Sequence, residues 1–339
     1  MIMRNNKPKP FNLKHLIASW LAKVYKAGLL LLQASYRKLP FRIRKVPARV
    51  ISVGNITWGG TGKTPLVAKI ARDLADAGKR VVILTRGYGS DEVAELRKRV
   101  PETVPILVGR DRVRKAREAV EKHKAEFLIL DDGFQHLRLH RDLDIVNINS
   151  TAPFGNGELI PAGTLREPLE HLSRAHIFML TKSDVGSKNL HWIHQRLLNI
   201  KPDAVIFESV HRAVQFMDFK RNKYVPLKEI GGRKVAALSG IGDPHTFEKM
   251  LENLGAEILF AARYDDHHAF SPAELAEFAA RCRQLNVKDV VTTEKDFYRL
   301  EPALKKNRSP ELLALSFWVL QIEFQVHDEE DFIRRCINP

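Results

Sequence analysis

Cysteine is scarce in this sequence, with Cys282 and Cys336 the two examples among 339 residues. Two cysteines are too few for a disulfide framework, and their separation fits no metal-ligand spacing. No secretory signal peptide, internal repeat or low-complexity tract is evident. These absences favour a globular protein of a reducing cytosol over a secreted, disulfide-stabilised one.

Long uncharged hydrophobic runs are also lacking, because Lys14, Lys23 and Lys26 interrupt the most apolar stretch. No run approaches the ~18 residues that a membrane span needs. Apolar residues instead recur at helical spacing, which predicts a basic amphipathic helix from residue 13 to about 36. Such a helix can lie in a membrane interface, with Trp20 and Tyr25 at headgroup level, or pack on a domain as an ordinary helix.

Acidic residues are outnumbered, since 40 Asp and Glu face 55 Lys and Arg for a formal net charge of +15. A surface of this sign favours anionic partners: acidic lipid headgroups, phosphorylated substrates or nucleic acid. No recognised nucleic-acid module or basic-aromatic stripe accompanies the charge, so no nucleic-acid partner is expected. The length suits two domains, each with its own core.

The stretch RVISVGNITWGGTGKTP, residues 49–65, is typical of a phosphate-binding loop. An apolar strand runs into a glycine-rich turn, and apolar residues at helical spacing follow. In such loops, backbone N–H groups and a helix N-terminus bind phosphates, the lysine reaches the β- and γ-phosphates, and the hydroxyl can ligate Mg²⁺. Thr57 stands where the strict pattern has glycine. The sequence therefore predicts a nucleotide with Mg²⁺ as cofactors, held by Gly59, Gly60, Thr61, Gly62, Lys63 and Thr64.

A second apolar run, residues 127–132, ends in two carboxylates, Asp131 and Asp132. An Asp at a strand tip near a phosphate loop can hold the Mg²⁺ of a bound nucleotide. His136 adds a polar group to the same neighbourhood. Arg166 and Glu167 end a long Gly- and Pro-punctuated loop, residues 153–168, and could reach phosphate and Mg²⁺ or form a surface salt bridge.

Other polar residues follow predicted strands, where α/β sheets hold ligands. Arg86 and Tyr88 follow the strand at 81–85 and are candidates for contacting substrate or phosphate. Asp111 can act as a base or cap the next helix, and the local sequence favours the cap. The run YDDHH, residues 264–268, fits a histidine oriented by a carboxylate better than a metal site, because no further ligand has matching spacing.

Together these elements predict an α/β fold: a P-loop NTPase-like parallel sheet with helices on both faces, plus a second, smaller α/β domain. The predicted divisions are an N-terminal amphipathic helix (1–40), a nucleotide-binding domain (41–213), a β-hairpin linker (214–230) and a C-terminal α/β domain (231–339).

Seven motifs, taken in order, resemble those of the tetraacyldisaccharide 4′-kinase family, the lipid A kinases of Gram-negative bacteria. They are VGNITWGGTGKTP, LTRGYG, DDGFQHLRLHRDLDIV, IPAGTLREP, SGIGDP, DDHHAF and TTEKD. That family also replaces the first glycine of the phosphate loop. The resemblance implies transfer of the ATP γ-phosphoryl group to the 4′-hydroxyl of a tetraacylated glucosamine disaccharide 1-phosphate. It also implies a peripheral or monotopic location at the anionic cytoplasmic face of the inner membrane.

The same resemblance implies roles for individual residues. Lys63 and Thr64 keep their phosphate and Mg²⁺ roles, and Asp131 or Asp132, with Glu167, provide the metal-side carboxylates. Tyr88, His136 and Arg166 line the active site. Asp111 is the implied base, and Arg110 takes its place if the motif is aligned without a gap. His267, or alternatively His268, would assist the base. A P-loop switch or chaperone ATPase is the competing interpretation, because its phosphate loop has the same pattern.

Overall fold

The computed structural model describes residues 13–59, 61–87, 90–265, 268–306 and 309–338. In that part of the chain, twelve strands form one continuous sheet. The strands are β1 (Arg49–Gly54), β2 (Val81–Thr85), β3 (Ile106–Val108), β4 (Phe127–Asp131), β5 (Leu143–Asn149), β6 (Ile177–Thr181), β7 (Val205–Asp218), β8 (Lys223–Val225), β9 (Lys234–Ser239), β10 (Glu257–Arg263), β11 (Asp289–Thr293) and β12 (Ser316–Val326).

Ten α-helices connect or flank these strands within the described residues. They are α1 (Leu13–Lys38), α2 (Lys63–Asp76), α3 (Ser90–Arg99), α4 (Arg112–His123), α5 (Ser187–Ile200), α6 (Pro244–Asn253), α7 (Pro272–Gln284), α8 (Glu294–Lys306), α9 (Pro310–Leu313) and α10 (Glu329–Ile337).

The first lobe is a parallel sheet in the order β3-β2-β4-β1-β5-β6-β7. Alternate residues of a strand face opposite sides, and here both sides are buried. Ile51 packs with α2 and α3, whereas Val50 packs with α4 on the opposite face. The predicted P-loop NTPase-like sheet with helices on both faces is therefore confirmed.

Strand β7 joins the two lobes. Residues 205–209 pair with β6 in parallel, and residues 209–218 pair with β12 antiparallel. Beyond β12 the second lobe continues as β11, β9 and β10, all parallel to one another. The antiparallel pair of β7 and β8 lies where the sequence predicts a hairpin linker, but β7 begins well before residue 214 and belongs to both lobes.

The carboxyl ends of the two sets of parallel strands face each other. Because β12 is antiparallel to β7, the strands of the second lobe run back towards the first. Two ion pairs cross the resulting cleft: Lys182 with Asp243 at 2.6 Å and Arg99 with Glu294 at 3.3 Å. Ligand-binding edges of both lobes thus meet at one place.

The last helix, α10, packs on α2 in the core of the first lobe. Phe332 and Cys336 are fully buried there, and Lys69 of α2 pairs with Glu329 at 2.5 Å. The sequence places residues 231–339 together in a C-terminal domain. The structure instead returns the chain end to the first lobe, because α10 carries an apolar face that α2 and the sheet can cover.

Helix α1 is present as predicted, but most of its apolar side chains point away from the protein. Leu16, Ile17, Trp20 and Leu31 are between 52% and 73% exposed. Among the described residues, residues 14–38 are the one segment that is long and apolar enough to cross a membrane by length and composition. The interrupting lysines do not prevent this, since their long side chains can extend to the interface.

Candidate active site

The phosphate loop leads from β1 to α2. Polar contacts within the loop and with β6 fix its backbone. The Asn55 side-chain amide donates to the Thr57 carbonyl at 2.7 Å and to the Thr61 hydroxyl at 3.0 Å. The Thr181 hydroxyl donates to the Thr61 carbonyl at 3.2 Å. Gly62 precedes α2 with φ +76°, a conformation that L side chains rarely adopt. The loop therefore directs Lys63 and Thr64 into the first turn of α2.

Asp132, just beyond β4, meets two cations at this loop. Arg166 binds it in a bidentate manner, with N···O distances of 2.9 and 3.1 Å, and the Lys63 ammonium lies 3.9 Å from the same carboxylate. Burial alone would raise the pKa of Asp132, but hydrogen bonds from Arg166 and the charge of Lys63 lower it below the usual value. Asp132 is therefore ionised at neutral pH, and three predicted site residues are brought together.

Asp131 lies one residue earlier, at the tip of β4. Its carboxylate accepts a hydrogen bond from the Thr85 hydroxyl at 3.1 Å. The buried Arg112 donates to the Asp131 backbone carbonyl at 2.8 Å. Asp131 is thus fixed between the ends of β4 and β2, beside Asp132.

Glu167 is not brought to the predicted metal position. It is 4% exposed, and its carboxylate accepts from His171 at 2.6 Å and from Arg174 at 2.9 and 3.2 Å. Burial would raise the pKa of Glu167, but these two partners lower it. Both oxygens are therefore engaged in a buried cluster that anchors the end of the 153–168 loop.

The oxygen ligands at the loop fit Mg²⁺ bound with a nucleotide. Among the described residues, no group of three or more His, Cys, Asp or Glu side chains could form a complete metal site. Mg²⁺ in nucleotide sites takes one or two carboxylates and completes its shell with phosphate oxygens and water. Asp131 and Asp132, at the end of β4, are carboxylates of the kind that such a shell uses.

Asp111 is the exposed N-cap of α4, as the local sequence indicates. Its carboxylate accepts from the Arg114 N–H at 3.1 Å, and this bond holds the pKa of Asp111 below the usual range. His136 lies close enough to interact with it electrostatically. Burial and the charges of Arg112 and Arg141 lower the pKa of His136 to about 4, so the imidazole is neutral.

Helix α3 begins just after the carboxyl end of β2 and carries Asp91 in its first turn. Strand β2 precedes this helix and is the immediate neighbour of β4, whereas β3, before Asp111, lies at the edge of the sheet. Helix α3 also packs on the face of α2, and its Arg99 reaches the second lobe.

The second lobe places His268 across the cleft, in the loop after β10. Its imidazole stacks on Tyr264 with ring centroids 4.6 Å apart and lies 3.0 Å from Glu274. Arg86, at the end of β2, is exposed. Gly60, Tyr88 and His267, three further predicted site residues, lie outside the described part of the chain.

The sequence of the chain matches that of known kinases over most of its length. The family model described as "Tetraacyldisaccharide-1-P 4'-kinase" matches residues 15–338. A tetraacyldisaccharide 4'-kinase of Syntrophus aciditrophicus is 36% identical, over 91% of this chain and 88% of the relative. One of Halothermothrix orenii is 37% identical, over 83% and 81%.

A solved structure gives the same result. It is LpxK from Aquifex aeolicus, described as an "apo" form in complex with ATP, and the TM-score is 0.70 at 28% identity. The alignment covers 95% of this chain and 98% of the other. The chain belongs to the tetraacyldisaccharide-1-P 4'-kinase family.

Proposed function

We propose that the protein transfers the γ-phosphoryl group of ATP to the 4′-hydroxyl of a tetraacylated glucosamine disaccharide 1-phosphate, a step of lipid A biosynthesis. One observation carries this proposal beyond family membership. The Tyr25 hydroxyl of the exposed apolar helix α1 donates to the Arg166 carbonyl at 2.9 Å, and the Arg166 guanidinium binds Asp132. A helix with exposed apolar side chains is thereby fixed to the phosphate site, which suits a kinase with a bilayer-borne substrate.

A P-loop switch ATPase would share the loop but has no use for an acceptor alcohol. The two proposals differ in how lipid affects ADP release. For the kinase, ADP release in the presence of Mg²⁺ rises when the lipid disaccharide is added, and equals the phosphorylated lipid formed. Full ADP release without lipid, and no change on its addition, would favour the switch.

In the proposed reaction, phosphate charge is neutralised chiefly by this chain's cations. Lys63 contacts the β- and γ-phosphates, and Arg166 orients Asp132 beside them. Bound Mg²⁺, held by Thr64 with Asp131 or Asp132, would neutralise charge on the phosphate oxygens. The 4′-oxygen forms a bond to the γ-phosphorus, the bond to the β–γ bridging oxygen breaks, and a carboxylate takes the hydroxyl proton.

We propose that this carboxylate is Asp111 or Asp91, assisted by His267 or His268 from the second lobe. Asp111 is supported by its exposed position at the N-cap of α4, just beyond the carboxyl end of β3. Asp91 is supported by the position of α3 at the cleft. Two further predicted substrate contacts, Arg86 after β2 and His136 after β4, follow neighbouring strands of the first lobe.

Substitution of each candidate by Asn separates the two. Loss of the general base lowers kcat by a factor on the order of 10²–10⁴, because an aligned proton acceptor is removed. We expect this loss for one variant, with the KM for ATP little changed in both. The measurement is steady-state transfer with saturating lipid. Near-normal kcat in both variants would contradict a carboxylate base at either position.

We propose that α1 holds the protein on the anionic cytoplasmic face of the inner membrane. Its exposed Trp20 and leucines can enter the lipid, and the +15 net charge attracts acidic headgroups. The same helix can lie in the interface or cross the bilayer.

Removal of residues 1–36 tests this location. We expect flotation with anionic vesicles to fall strongly, because most of the exposed apolar side chains of α1 are lost. ATP binding should change less, although the Tyr25–Arg166 contact is also removed. Tyr25→Phe in the full chain is the matched control, since it loses that hydrogen bond and keeps the apolar helix. Undiminished flotation of the truncated protein would contradict the role of α1.

A further inference from the structure

His211 lies next to Gly62 of the phosphate loop, on β7, the strand that joins the two lobes. Ser209 is the last residue of β7 that pairs with β6, and His211 follows two residues later. His211 therefore lies just beyond the carboxyl end of β6. A Cβ at Gly62 would lie 3.8 Å from Cε1 of His211 and 3.4 Å from Cγ2 of Thr181. On its other side the imidazole packs edge-on against Phe324 of β12, with centroids 5.5 Å apart.

The imidazole has an unused hydrogen-bonding atom. Nε2 of His211 is shielded from solvent and has no hydrogen-bond partner among the described residues. A buried polar atom without a partner costs stability, so such an atom in a native site needs an explanation. Burial and the charges of Lys182 and Arg99 lower the pKa of His211 to about 4, with Asp243 acting in the opposite direction. The neutral ring can therefore donate or accept one hydrogen bond.

The position of His211 indicates which part of a nucleotide it would meet. Lys63, Asp132 and Arg166 mark the γ-phosphate end of the site, on the β4 side of β1. The nucleoside must then extend the other way, over the ends of β5 and β6. His211 stands on that side, and the Lys182–Asp243 ion pair closes it from the second lobe.

We propose that His211 is a nucleotide-contacting residue, hydrogen-bonded through Nε2 to the nucleoside part of the bound nucleotide. This inference rests on the proposed ATP site and adds to it a contact that the sequence motifs do not identify. Its ligand is a nucleoside with polar ribose or base atoms. His211 lies between Gly62 of the phosphate loop and Phe324 of β12. The same side chain would therefore contact the nucleotide and pack where the two lobes join.

The experiment compares the affinity of the full-length protein for ATP and for inorganic tripolyphosphate, which lacks the nucleoside. His211→Phe keeps ring packing against Phe324 but removes Nε2, and His211→Gln restores a donor and acceptor. His327→Phe, at an exposed histidine just after β12, is the matched control. We expect His211→Phe to raise the Kd for ATP about three- to tenfold, as the loss of one neutral hydrogen bond predicts. Tripolyphosphate affinity should stay unchanged, and His211→Gln should recover part of the ATP affinity.

Each other outcome has a definite meaning. Unchanged ATP affinity in both His211 variants overturns the nucleoside contact and leaves the proposed ATP site standing. An equal loss for ATP and tripolyphosphate also overturns it, because His211 would then only support the loop. Failure of the unaltered protein to bind either ligand overturns the proposed ATP site, and this inference falls with it. If His211→Phe does not fold, His211→Leu, which also lacks Nε2, replaces it in the same comparison.

Discussion

Lys63→Ala is expected to lower the rate of phosphoryl transfer by a factor on the order of 10²–10³ while leaving the fold intact. The lysine opens α2 and lies 3.9 Å from Asp132, so its ammonium is placed where phosphate charge concentrates. Phosphoryl transfer depends on positioning and charge neutralisation more than on covalent chemistry. Loss of one preorganised charge-stabilising group costs on the order of 10²–10³ in rate. The measurement is transfer rate, with far-UV circular dichroism and thermal unfolding as checks of folding.

Lys188→Ala is the control for that variant, because Lys188 is exposed on α5. It removes the same charge and should retain full activity. Near-normal turnover of Lys63→Ala would remove the phosphate loop from the mechanism. A loss of activity in both variants would point to net charge or membrane attraction instead.

Asp132→Asn is expected to reduce kcat/KM by a similar factor, on the order of 10²–10³. The substitution keeps the shape of the side chain but removes the negative charge that Arg166 and Lys63 face. Two cations would then lie together without their carboxylate, and the Mg²⁺ site proposed for Asp131 or Asp132 would be weakened if Asp132 is the ligand. We expect the loss to be partly relieved by raising the Mg²⁺ concentration. Asp203→Asn, at an exposed position, is the control and should show no change.

The Asp132–Arg166 pair can also be tested as a unit. A double-mutant cycle of Asp132→Asn and Arg166→Ala should be strongly non-additive, because each single change already breaks the same bidentate contact. The folded-state pKa of Asp132 is lowered, so its contribution to stability is complete above the unfolded pKa of ~3.9. That contribution is lost as pH falls through the folded value. Additive effects would show that the two residues act independently.

The phosphate loop was predictable because its chemistry is contiguous in the chain. A strand, a glycine-rich turn and Lys63-Thr64 lie within 16 residues, and the described parts of this stretch form β1 and the start of α2. The buried strands β2, β4 and β6 were predictable for the same reason, since each is a short apolar run ended by polar residues. Local patterns of this kind do not depend on distant partners.

Contacts between distant segments were not predictable in this way. The sequence could not show that α10 returns to α2, because a 9-residue amphipathic helix fits either lobe. The spacing of Glu167, His171 and Arg174 is compatible with the cluster that these side chains form. The sequence instead suggested Glu167 and the adjacent Arg166 together, as contacts for Mg²⁺ and phosphate. His211 had no signal at all, because its place beside Gly62 depends on how β7 pairs with β6 and β12.

Transfer of label from γ-labelled ATP tests the central claim most directly. The protein is incubated with Mg²⁺, the labelled nucleotide and the tetraacyl disaccharide 1-phosphate in anionic vesicles, and the lipid is recovered. The account predicts one labelled phosphate per disaccharide, on the 4′-oxygen, formed on the order of 10²–10³ times more slowly with Lys63→Ala. Label released as inorganic phosphate, with an unmodified lipid, would contradict it.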